Sequence, residues 1–341
     1  MEKYIQDPPF CIQLELCEGC QLRCPFCGLN GIRTEERIYK YMTVDWAVKI
    51  AHNLKQEGWN CRFEFAMHGE PTKNPDVLEI IATFRQAFPD NYFLMETNGS
   101  GFLAPTSAKA LELVRGYFDA GLSTVAIDQY QTVPWAEAFR QRVSVADLAA
   151  IGVEFMEYPR DRKGNPHARS RHKRLVIIAP IDASSAGTHS HLSNHCGAGG
   201  PLSLDRAGQR CAKPFREMAM RWDGSVAICC DDWRGAYRIG NVTTTSALEL
   251  WHSPRFYAAR RKLILGERTY TPCLGCTSRS NRLGLLPNKN GKGHLELPDA
   301  ACERVLQQAV ADGPFTPAVD RPWEGESVLV QLERTKKRSL L

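Results

Sequence analysis

Cys20, Cys24 and Cys27 sit in one short segment, Cys17-Glu-Gly-Cys20-Gln-Leu-Arg-Cys24-Pro-Phe-Cys27, directly behind the first strand-like run. No other feature constrains the chain as strongly. Three thiols delivered by one loop at the C-terminal end of a strand suit three corners of a cubane iron–sulfur cluster, leaving the fourth iron open to another ligand. With Cys17 as a fourth ligand, the same segment also fits a zinc knuckle. In the cluster reading Cys17 is a spare, small apolar residue.

Around this loop, β-branched and aromatic runs alternate with helical patterns. The runs Ile12–Leu16, Arg62–Met67, Tyr92–Thr97, Thr124–Asp128, Val153–Tyr158 and Leu175–Pro180 predict strands. The segments Thr43–Gln56, Asp76–Phe88, Thr106–Ala120 and Pro134–Ile151 predict helices, with Thr43 suited to cap the first. This alternation predicts parallel βαβ units, with ligand-binding residues at the strands' C-terminal ends. The pattern changes after residue 183. Asp182–Pro201 reads as a long loop, Asp223-Gly224 as the turn of a hairpin, and Ser253–Leu265 as a helix. Arg282–Gly293 reads as a linker, Pro298–Asp312 as a last helix, and Arg334–Arg338 as a basic tail.

With 341 residues and 43% hydrophobic side chains, the chain can bury a large core, and its net charge of +5 does not by itself imply nucleic acid. No apolar run approaches the roughly 18 residues of a membrane span. The N-terminal stretch lacks a signal-peptide core, so a reducing, cytoplasmic setting is expected. There, thirteen cysteines are expected to include metal ligands rather than structural disulfides.

The CxxxCxΦC spacing, with Phe26 before the last cysteine, resembles the signature of the radical S-adenosylmethionine (SAM) superfamily. Met67-His68-Gly69-Glu70-Pro71 after the second strand is similar to that family's GGE motif, with His68 in place of the first glycine. The resemblance implies that Gly69 and Glu70 help hold the SAM amino group, and it leaves the role of His68 open. Thr97-Asn98-Gly99 resembles the family's TNG segment, which implies ribose contacts from Thr97 and Asn98; Asn98-Gly99 is equally an ordinary turn. Asp128 and Gln129 end the fourth strand where relatives often carry a serine, and are expected as polar pocket groups. Asn194-His195-Cys196-Gly197 resembles an N-x-x-G stretch expected to face the pocket.

A second set, Cys211, Cys229, Cys273 and Cys276, resembles the CX9-15GX4C…CX2C pattern of the SPASM/twitch extension. Twelve residues separate Cys211 from Gly224, and four separate Gly224 from Cys229, which favours Cys229 over Cys230. With only Cys302 after the CxxC, the pattern is similar to the truncated twitch form with one auxiliary [4Fe–4S] cluster; a structural zinc on the same thiolates is the other reading. The resemblance implies an α/β fold: a partial (β/α)6 barrel over 1–200, a small α+β twitch-type domain over 201–281, and a C-terminal linker, helix and tail over 282–341.

What the resemblance implies chemically is reductive SAM cleavage to a 5′-deoxyadenosyl radical, with an electron from a flavodoxin- or ferredoxin-type donor, and hydrogen abstraction from a substrate C–H bond. Oxidation follows naturally if the auxiliary cluster accepts the second electron; epimerisation needs a hydrogen donor, for which Cys196 and Cys230 are the positional choices. The basic segment Arg160–Arg174 points to an anionic small molecule or nucleotide, or to a solvated loop. Modification of a peptide or nucleic acid is the alternative within the family. A zinc-stabilised nucleic-acid-binding protein is the alternative outside it.

Overall fold

The computed structural model describes residues 8–32, 39–130, 135–158, 172–181, 193–278, 286–287 and 295–296. Strand β1 (Cys11–Leu14) leads into a two-residue strand β2 (Cys17–Glu18), which pairs with β3 (Lys40–Tyr41) and closes the loop between them. Helix α1 (Val44–Gln56) follows, capped by Thr43, whose hydroxyl accepts from the Trp46 N–H at 3.3 Å. Such a cap contributes about 1 kcal/mol. The chain then alternates through β4 (Arg62–Phe65), α2 (Val77–Ala87), β5 (Phe93–Thr97), α3 (Ser107–Ala120) and β6 (Thr124–Tyr130).

The helix expected over Pro134–Ile151 is two helices, α4 (Trp135–Arg140) and α5 (Val145–Ala150). Ser144 starts the second with a capping box: it accepts from the Asp147 N–H, and Asp147 reaches back to the Ser144 N–H. Strands β7 (Val153–Tyr158) and β8 (Lys173–Ile181) complete the parallel set.

Six of these strands lie parallel in the order β1-β4-β5-β6-β8-β7, which puts the fifth strand in sequence at the sheet edge. Alternation assigns the two faces. Ile12, Leu14, Phe63, Phe65, Phe93 and Met95 pack toward the helices, against Ile50, Ile81, Phe84 and Phe118. Phe63 sits 4.7–5.4 Å, ring to ring, from Phe84, Phe88 and Phe93. Residues of the other parity, Cys11, Gln13, Arg62, Glu64 and Glu96, line a cavity on the concave side.

The C-terminal part extends the same sheet. After the short helix α6 (Lys213–Arg216), strand β9 (Glu217–Met220) runs parallel to β1, with Cys11 opposite Glu217 and Leu14 opposite Met220. Strands β10 (Ser225–Ala227) and β11 (Arg238–Asn241) add antiparallel, making nine strands. The Asp223-Gly224 turn is as expected: Asp223 accepts from the Ser225 N–H, and Gly224 takes φ 76°. Helices α7 (Ala247–Trp251) and α8 (Pro254–Ile264) then pack back, with Ser253 capping α8. Among the described residues no helix is long and apolar enough to cross a membrane.

Several sequence expectations fall outside the described residues: most of the basic segment (160–171), the Pro298–Asp312 helix, the Arg334–Arg338 tail and Cys302.

Candidate active site

The loop after β1 carries the first cysteine set at the C-terminal end of the strands. It is stiffened locally. The Cys24 carbonyl accepts from the Cys27 N–H at 3.0 Å and from the Asn30 side chain at 2.7 Å. Cys24 is buried; Cys20 and Cys27 are half-buried. Burial, reinforced by the neighbouring thiols, pushes Cys24 up to about 12, and burial pushes Cys20 up to about 11. Cys17 is buried and donates to the Gly19 carbonyl within the same loop.

The strand-end motifs meet at this loop. A Cβ on Gly69 would overlap the Cys17 carbonyl oxygen and lie 2.6 Å from the Gly19 carbonyl oxygen, so the close approach of β4's end to the loop requires glycine. The Glu70 N–H donates to that Gly19 carbonyl at 2.9 Å. The buried Glu70 carboxylate accepts from the Thr97 hydroxyl at 2.6 Å, the Asn98 N–H at 2.8 Å and the Thr72 hydroxyl at 2.6 Å. Asn98 donates to the Cys20 sulfur at 3.4 Å and accepts from Gln21 at 3.1 Å. Cys20, Gly69, Glu70, Thr97 and Asn98 therefore form one connected set. Gly99 takes φ 77°, so Asn98-Gly99 is also a turn. Asp128 is half-buried and close enough to Cys24 for its charge to oppose the thiolate, whereas Gln129 donates to the Ile178 carbonyl at 2.9 Å.

His68 ties the strand end to the C-terminal part. Its Nδ1 is 2.6 Å from the Glu15 carboxylate and its Nε2 is 2.9 Å from the Cys230 carbonyl oxygen, with both side chains of the His68–Glu15 pair fully buried. Each ring nitrogen thus has an oxygen partner. Burial alone would raise the Glu15 pKa; the His68 ring, Arg221 and the Trp222 N–H outweigh it and hold the carboxyl below its usual range. The Trp233 ring lies 4.7 Å from His68 and 4.8 Å from His195, and a Cβ on Gly28 would overlap that indole, so the cluster loop rests on the C-terminal part.

The second cysteine set shares one narrow cavity, lined by Cys211, Cys229, Cys273 and Cys276, all buried. Buried Arg268 organises its rim by donating to the carbonyls of Gln209, Arg210, Cys276 and Ser278 at 2.9–3.1 Å. Burial pushes Cys211 up to about 11 despite Arg268.

The two hydrogen-donor expectations separate. Cys230 lines the barrel cavity, its sulfur 2.8 Å from the Lys213 ammonium; Cys196 lines the auxiliary cavity with the four cysteines. Asn194, expected to face the pocket, is buried and hydrogen-bonded to the Cys273–Cys276 loop instead. Lys173 and Arg174, the described end of the basic segment, pair with Asp119 (3.1 Å) and Glu154 (2.7 Å) at the start of β8, the rim opposite the cysteine loop. They are not pocket residues.

Sequence reasoning missed the polar wall of the barrel cavity, which encloses about 310 Å³. Asp231 accepts from Ser193 at 2.7 Å, lies 3.1 Å from His195 Nδ1 and pairs with Lys213 at 3.3 Å. Burial alone would raise its pKa; Lys213, His195 and Ser193 hold it far below the usual range instead. Glu217 accepts from Gln13 across the β1–β9 pair at 3.2 Å and lies 3.4 Å from Lys213. The available signal was proximity: Lys213, Asp231 and Trp233 all follow a cysteine of the second set within four residues.

Residues 14–130 match the family model of the Radical SAM superfamily, and residues 211–277 match SPASM, an iron–sulfur cluster-binding domain. The chain belongs to the radical SAM superfamily. No curated protein matches its sequence. Among solved structures, BtrN in complex with AdoMet and 2-DOIA aligns with a TM-score of 0.59 at 18% identity, covering 81% of this chain and 96% of BtrN. BtrN in an open conformation aligns with a TM-score of 0.53 at 16% identity, over 80% and 94%. At these identities the likeness shows the fold. The radical SAM and SPASM domains together indicate a SAM-binding [4Fe–4S] cluster, an auxiliary iron–sulfur cluster and SAM as cofactors.

Proposed function

We propose that this radical SAM protein oxidises a small hydroxyl- or amine-bearing molecule held in the barrel cavity. Cys20, Cys24 and Cys27 would hold the SAM-binding cluster and Cys211, Cys229, Cys273 and Cys276 the auxiliary one. The donor sets fit these groups. Each is a set of thiols, soft ligands suited to iron–sulfur clusters; the first has three and stands beside a backbone cradle at Gly69 that no Cβ can enter. When bound, the cofactors supply a 5′-deoxyadenosyl radical at the strand ends and an electron acceptor behind the cavity wall. A flavodoxin- or ferredoxin-type protein would deliver the starting electron.

The observation that carries the oxidation reading is the shared wall. His195 and Cys196 are sequence neighbours that line opposite cavities; so are Cys230 and Cys229, and Asp231 lines both. A substrate in the barrel is therefore separated from the auxiliary thiols by single residues. Gly69, Glu70, Thr97, Asn98 and Asp128 would surround SAM. His195 is held at Nδ1 by Asp231, which fixes the ring at the cavity wall where a substrate hydroxyl would sit.

The cavity's own charges favour such a substrate over a phosphate. Glu64, Glu96, Glu217 and Asp231 line it against Arg62 and Arg216; Glu64 is paired with Arg62, and Glu217 and Asp231 with Lys213, which leaves Glu96 as the carboxylate without an ion pair among the described residues. Glu96 lines the cavity, where burial raises its carboxyl pKa against the pull of Arg62 and Lys213, and it faces the space a substrate hydroxyl or ammonium would fill.

The test is anaerobic turnover with dithionite, SAM and a panel of polyols and amino polyols deuterated at their carbinol carbons. Deuterium in 5′-deoxyadenosine together with a ketone product is the expected result. Fully loaded protein that cleaves no SAM with any of them would overturn the proposal.

A further inference from the structure

The cysteine loop after β1 is anchored at both ends. At its front, the Glu70 N–H donates to the Gly19 carbonyl at 2.9 Å. At its back it rests on a small apolar cluster apart from the main core: Leu29, Ala198 and Trp233, with Cys20, Cys27 and Ile32 packed against them. A Cβ on Gly28 would overlap the Trp233 indole, and one on Gly31 would lie 2.8 Å from the Ala198 Cα, so the turn Gly28–Gly31 lies directly on this surface. The loop belongs to the radical SAM match, whereas Trp233, the largest member of the cluster, belongs to the SPASM match. The buried indole is itself held in place. The rings of His68 and His195 lie 4.7 and 4.8 Å from it, and Arg221 donates to the Trp233 carbonyl at 3.0 Å. Glu15 in turn holds both His68 (2.6 Å) and Arg221 (3.6 Å).

We propose that Trp233 is a positioning residue for SAM: its indole holds the cysteine loop at the distance from Gly69 and Glu70 at which one SAM molecule meets both the cluster and the strand-end cradle. A loop without that support keeps its thiols and can still take up iron, because all three come from one short segment. Its place relative to the cradle is then no longer fixed, and side chains that orient a metal site from behind its ligands are worth about tenfold or more in affinity or activity. The inference rests on the assignment of the SAM-binding cluster to Cys20, Cys24 and Cys27.

The test uses the full chain, reconstituted anaerobically with iron and sulfide, with SAM as the probe. Iron per chain, SAM Kd by equilibrium dialysis, and the electron paramagnetic resonance spectrum of dithionite-reduced protein with and without SAM are read together. Trp233→Leu should keep its iron and its far-ultraviolet spectrum, raise the SAM Kd about tenfold or more and diminish the change that SAM induces in the resonance. Trp233→Phe, which retains a ring, should restore most of the affinity. Gly28→Ala, whose methyl enters the space of the indole, should weaken SAM binding in the wild-type chain and cost at least about threefold less beside Trp233→Leu, where that space is open. Unchanged SAM affinity in Trp233→Leu overturns the proposal, as does an equal cost of Gly28→Ala in both backgrounds. Loss of iron in both Trp233 variants also overturns it, since the indole would then be a general brace. If the chain with Cys20, Cys24 and Cys27 all replaced by alanine binds SAM as tightly as wild type, the cluster assignment fails and the proposal with it.

Discussion

Replacing His68 with leucine would break the buried contact that joins the cofactor-motif strand to the C-terminal part. His68 and Glu15 are both fully buried, 2.6 Å apart. Removing one partner of a buried ion pair costs about 3–5 kcal/mol. Glu15 keeps the Trp222 N–H at 3.1 Å and Arg221 at 3.6 Å, which puts the loss near the lower end, about 3 kcal/mol. The Cys230 carbonyl also loses its donor, adding about 1 kcal/mol. For a chain of this size that is a fall in melting temperature of roughly 6 °C, read by circular dichroism on equally loaded proteins. Glu15→Gln combined with His68→Leu removes the stranded charge and should recover about half. The pH dependence has a definite sign. The folded-state pKa of Glu15 is depressed, so its contribution is complete above the unfolded carboxyl value and is lost as pH falls through the folded one. Without His68, burial pushes Glu15 upward, and the variant's deficit against wild type should shrink as pH is lowered from 8 toward 5. A melting temperature within about 2 °C of wild type, or a double variant no better than the single, would refute the reasoning.

Replacing Cys20, Cys24 and Cys27 together with alanine should lower iron from about eight to about four per chain, checked by iron analysis. Gly69→Ala should weaken SAM binding at least about tenfold while the far-ultraviolet spectrum stays native, because the added methyl meets backbone rather than a movable side chain; equilibrium dialysis decides it. Glu96→Gln should cut substrate kcat/KM about tenfold or more and leave uncoupled 5′-deoxyadenosine formation intact; a matching loss of SAM binding would assign Glu96 to the cofactor instead.

The sequence alone determined the parts of this protein that depend on local periodicity and spacing. Alternating runs of period two and helical period placed the six parallel strands to within a few residues, because side-chain burial on each face is a local pattern. Cysteine spacing grouped the thiols of both sets, the first within one short loop and the second around a CxxC. Tertiary structure decided what depends on contacts between distant segments. Only the β1–β9 pairing brings Glu217 to Gln13 and makes one sheet of two domains. Only folding gives His68 its partners, 53 and 162 residues away. It also sends Cys196 and Cys230 to opposite sides of one wall, since the side on which a thiol emerges is set by backbone conformation and packing rather than by its place in the chain.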